Sequence, residues 1–106
     1  MVPFVGSLSA RELDALVEQA TVDAYDADEQ LAGFHAVIGD ELATPFQTVV
    51  LGVEVTVAGV DLVPGTGIVA LCRRGSYKQR IGLLDLPLAS PPPAGAQWID
   101  AYRHWA

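Results

Sequence analysis

Apolar residues recur along this chain with two periods in succession. Leu13, Leu16, Val17 and Ala20 fall at helical spacing, as do Leu31, Phe34, Ile38 and Leu42. From Phe46 the period becomes two: Val49, Leu51, Val53, Val55 and Val57 alternate with Val50, Gly52, Glu54, Thr56 and Ala58. Ser9-x-x-Glu12 is a capping box that starts the first helix near Ala10, and low-propensity residues from Thr21 to Tyr25 end it. Asp26 caps the second helix with Glu29 at its third position, and Pro45 closes it. Gly33 and Gly39 weaken this helix and mark candidate close packing, and Gly52 marks a bulge or bend in the first strand.

Pro64–Gly67 and Arg73–Ser76 read as turns around an apolar strand, Ile68–Cys72, and Tyr77–Leu86 reads as a last strand, with Ile81, Leu83 and Asp85 on one side. A proline-rich connector follows, and then Trp98, Tyr102 and Trp105 at i, i+4 and i+7, a stripe that predicts a short helix docked on the core. The pattern predicts an α+β fold: two N-terminal helices, a small bent antiparallel sheet (SH3-like or a meander) and a short C-terminal helix. One domain accounts for residues 1–106, with the helical part at 9–44, the β part at 46–86, the connector at 87–96 and the last helix at 97–105.

Composition supports a folded domain. Half the residues are apolar (51%) and only 18% are charged, which argues against disorder. No apolar run reaches the length of a membrane span, and MVPFVGSLSA lacks the basic and long apolar parts of a signal peptide. The lone Cys72 excludes an internal disulfide and fits the reducing cytoplasm, in an apolar strand where a thiol is a buried structural group. The net charge of −7 is unevenly placed: residues 1–61 hold eleven acids and only Arg11, whereas residues 62–106 hold two acids and five bases. Such an acidic half repels nucleic acid and anionic membrane and attracts cations or basic partners. Arg73, Arg74, Lys78 and Arg80 are too few for a nucleic-acid surface and are expected to pair with the acidic half or to solvate the hairpin. Nothing links His35 or His104 to a nucleophile, and no phosphate-binding glycine loop is present, so no enzyme chemistry is predicted.

The chemistry lies in Asp23, Asp26, Asp28 and Glu29, four carboxylates in seven residues at a helix–helix junction. Oxygen donors without His or Cys suit a hard cation and not zinc or copper. The EF-hand template does not apply: counted from Asp26, the fifth, sixth and twelfth positions are Gln30, Leu31 and Val37. Capping and solvation are the structural alternative for these acids. Asp40-Glu41 form a second candidate, separated from Asp28 by roughly 18 Å along a continuous helix, too far to share one ion.

The stretch VDAYDADEQ…GF…PF resembles the CcbP-like family of small calcium-binding proteins first described in cyanobacteria. The matching positions are Asp23, Tyr25, Glu29, Gln30, Phe34, Pro45 and Phe46, and the likeness is strongest over residues 22–46. The resemblance implies an acidic calcium binder without EF-hands, a buffer or sensor of cytoplasmic calcium. The competing expectation is a protein–protein interaction module whose acidic face only solubilises it, with the acidic helices or the Trp98–Trp105 helix docking a partner.

Overall fold

In the computed structural model, which describes residues 8–88 and 90–106, a four-stranded antiparallel meander carries the second helix against its second and third strands, and the first and third helices pack on that helix and on each other. The N-terminal stretch read for targeting signals lies largely outside the described residues.

Helix α1 (Ala10–Ala20) opens on the complete capping box: Glu12 N–H donates to Ser9 Oγ at 3.1 Å, and Ser9 N–H to Glu12 Oε1. Helix α2 (Ala27–Glu41) opens on Asp26 and closes on Leu42, three residues before Pro45. Its buried face is Phe34 and Ile38, both fully inaccessible. Of the two helix glycines, only Gly33 marks a close approach. A Cβ there would collide with the carbonyl oxygen of Ala20, so α1 ends directly on α2; beside Gly39 the space is open.

The sheet runs in sequence order, β1 (Phe46–Val50), β2 (Val53–Val63), β3 (Gly67–Arg74) and β4 (Tyr77–Gly82). The stretch from Phe46 to Ala58 is thus not one strand. It folds back at Leu51-Gly52, where Val50 pairs with Val53 and both loop residues take positive φ (50° and 78°), the pattern of a type I′ turn. The turn reverses the chain, so Val49 does not share the buried face of Val55 and Val57. It stands opposite Glu54 and is 53% exposed. The irregularity in the sheet falls between Val57 and Gly59 rather than at Gly52. The last strand is also shorter than the pattern predicts. Asp85 N–H bonds to the Gly82 carbonyl and turns the chain at Leu83. Arg103 from the C-terminal helix then donates to the carbonyls of Leu83 and Leu86 and ties that turn to the helical layer. Leu83 is buried and Asp85 is exposed, so beyond Gly82 the two do not share one side of a strand.

Helix α3 (Gln97–Trp105) lies where its aromatic stripe predicts. Trp98 and Tyr102 are buried, and Phe34 of α2 packs against Tyr102 and Trp105 with ring centroids 5.7 and 5.2 Å away. Buried aromatic pairs of this kind add about 0.5–1.5 kcal/mol each beyond the area they remove from water. Tyr102 also accepts the Ile68 N–H at 3.3 Å, joining α3 to β3. The Trp98–Trp105 stripe thus packs into the core of its own domain, with Trp98 and Tyr102 buried and Trp105 half-buried. No helix among the described residues is long and apolar enough to cross a membrane.

Candidate functional site: the acidic junction of the first two helices

Three contacts hold the junction in place. Gly33 receives the end of α1. The Thr21 hydroxyl donates to the Val17 carbonyl at 2.7 Å and finishes that helix. Trp105 Nε1 donates to Gln30 Oε1 at 2.9 Å and fixes the first turn of α2 against α3. Between them the backbone turns through Asp23 at φ 61°, a left-handed conformation that Asp tolerates better than most residues.

All four predicted carboxylates come to this turn, and all are exposed. Two have structural duties. Asp26 Oδ1 accepts the Glu29 N–H at 2.8 Å as the helix cap. Glu29 Oε2 reaches back past the cap to accept the Tyr25 N–H at 3.1 Å. Asp23 and Asp28 accept no hydrogen bond among the described residues. Both oxygens of Asp23 and Asp28, the second oxygen of Asp26 and the first of Glu29 are thus uncommitted. No Lys or Arg pairs with any of them among the described residues; on α1, Asp14 Oδ1 lies 2.8 Å from Nε2 of His104 on α3.

The donor set suits calcium, which takes six to eight oxygens at 2.3–2.6 Å and tolerates irregular geometry. The geometry is not that of a finished cage: among the described residues no three Asp, Glu, His or Cys side chains converge on a point that a metal ion could share. Asp26 and Glu29 are held by their cap hydrogen bonds, whereas Asp23 and Asp28 make none among the described residues. Asp40 and Glu41 are exposed at the far end of the unbroken α2 and do not join this cluster.

The basic residues behave differently from one of the two expectations. None of Arg73, Arg74, Lys78 and Arg80 pairs with a carboxylate among the described residues, and all are exposed on the β3–β4 hairpin. Arg73 stands directly across from Lys78 in the register. Cys72 is buried behind this surface, and desolvation raises its thiol pKa above the ordinary value, as suits a structural thiol.

Fold and surface together define an α+β meander domain with an acidic helix junction at one place and an unpaired basic hairpin at another. No protein family, curated protein or solved structure matches this chain.

Proposed function

We propose that the α1–α2 junction binds calcium through Asp23, Asp26, Asp28 and Glu29, and that the protein is a non-enzymatic buffer or sensor of cytoplasmic calcium. The observation that carries this reading is the set of uncompensated carboxylate oxygens gathered on a turn whose backbone is pinned on both sides. The resemblance of residues 22–46 to the CcbP-like family supports it. Because the oxygens are exposed and not pre-assembled, affinity belongs in the weak range, a Kd of roughly 10⁻⁵ to 10⁻³ M. Magnesium demands a tight octahedron and sheds water reluctantly, so it binds this loose set more weakly. Calorimetric titration of chelator-stripped protein tests the reading. A saturable calcium isotherm that survives about 0.15 M salt is expected. Equal heats with calcium and magnesium that vanish in that salt would indicate diffuse charge attraction and no site.

A further inference from the structure

The hairpin end of the sheet carries a second set of unsatisfied groups. Leu51 is 98% exposed in the left-handed first position of the β1–β2 turn, where Asn, Asp or Gly is the usual occupant. A bulky apolar residue there adds backbone strain to full solvent exposure, a combination that local stability does not explain. Val53 and Tyr77 are exposed nearby, and with Leu51 they border an open groove floored by Val50 and Val55. The groove also runs along Arg73, Arg74 and Lys78. Like charges directly opposite in a sheet, as Arg73 and Lys78 are, destabilise it unless an anion lies between them. The surface is thus apolar, cationic and unpaired.

The complementary surface is on the same molecule. Beside the four carboxylates of the α1–α2 junction, Val22 is 70% exposed and Tyr25 is 87% exposed. Acids and apolar side chains are interleaved there over Val22–Glu29, as bases and apolar side chains are on the hairpin. No ion pair joins the two surfaces within one chain among the described residues. Charges left unmatched within the molecule on both surfaces are available for matching between molecules.

We propose that the occupant of the hairpin groove is a second copy of this chain. The acidic junction of one molecule, with Tyr25 and Val22 as anchors, seats on the Leu51–Tyr77 surface of the next, and Asp23 and Asp28 face Arg73, Arg74 and Lys78. The contact is heterologous, so each pairing leaves one free surface of each kind and the assembly extends with concentration. It requires the negative charge of the junction and not calcium, so it stands or falls separately from the calcium reading.

Sedimentation velocity in chelator at low ionic strength tests the proposal. The average mass of the native protein should rise with concentration above the 11.2 kDa of the monomer. It should return to the monomer in about 1 M salt, where screening acts within roughly 3 Å. Two variants locate the surfaces. Arg73→Glu with Lys78→Glu removes the basic face. Asp23→Asn with Asp28→Lys removes the acidic one while leaving the Asp26 and Glu29 caps intact, and Asn accepts the left-handed backbone. Each should be monomeric alone, with circular dichroism confirming its fold. Mixed, they should form a 1:1 dimer that does not grow, since each supplies one intact surface. Leu51→Asn should weaken association by about tenfold or more, the scale of one buried leucine. A native protein that stays monomeric at every concentration would overturn the proposal and leave a foreign acidic partner as the occupant. Native association with no pairing of the mixed variants would overturn the head-to-tail arrangement.

Discussion

Replacing Asp26 by Asn and Glu29 by Gln removes two charges from the junction and keeps both caps. The Glu29 N–H still finds an oxygen at position 26, and the Tyr25 N–H still finds one at position 29. Without calcium the two charges act in opposite senses. Their loss relieves repulsion from Asp23 and Asp28, but it forfeits about 0.3–1 kcal/mol of helix-dipole stabilisation each. Stability of the metal-free variant should therefore stay within about 1 kcal/mol of the native protein. With calcium the two proteins separate. At free calcium of 100 times its Kd the native protein gains about 2.7 kcal/mol, and a domain of this size moves about 4–8 °C per kcal/mol, so its Tm should rise by about 11–22 °C. Two unit charges about 4 Å apart in water attract by about 1 kcal/mol, and a divalent ion doubles this. Losing two carboxylates thus costs about 4 kcal/mol of binding, a weakening of more than about 100-fold. At the same calcium concentration the variant should gain less than about 0.4 kcal/mol, a shift of about 3 °C at most. Thermal melting by circular dichroism, in calcium and in chelator, reads both numbers. A variant that keeps the full calcium shift would refute the assignment and move attention to Asp40-Glu41.

Other expectations concern the frame that positions these surfaces. Gly33→Ala places a methyl group against the Ala20 carbonyl and should cost about 1–3 kcal/mol by denaturant unfolding; a neutral result would show that α1 does not end on α2 as described. Leu51→Asn relieves a left-handed leucine and should stabilise the monomer by about 1 kcal/mol, with destabilisation as the contrary outcome. Cys72 should resist thiol reagents at neutral pH until the chain unfolds, because burial both shields it and raises its pKa; rapid stoichiometric labelling of the native protein would contradict this.

Helix starts were readable because their signals are local. Ser9, Glu12 and Asp26 make the hydrogen bonds that their spacing requires, and Glu29 reaches one residue further, to the Tyr25 N–H. The aromatic stripe of α3 was readable for the same reason, since one face of three aromatics must bury itself somewhere. The first hairpin was not, because Leu51 holds a position where Asn or Gly would have announced a turn, and the resulting error put Val49 on the wrong face. The gathering of the four acids followed from their closeness in sequence. Their side-chain arrangement did not, because the rotamers of exposed carboxylates depend on what they bind. Nor does spacing alone decide whether bases and acids on separate elements meet. Among the described residues the hairpin cations have no acidic partner, and the fold presents them on an exposed surface.

The central claim is that a cation is held at one turn of the backbone, and residue-resolved amide shifts during a calcium titration test it most directly. In about 0.15 M salt, the amides of Asp23 to Gln30 should move together along one saturable curve. Those of Arg73 to Arg80 should stay unchanged in protein dilute enough to be monomeric, and magnesium should produce a much smaller effect. Shifts spread over all thirteen acidic residues, or centred on Asp40-Glu41 with the junction silent, would contradict it.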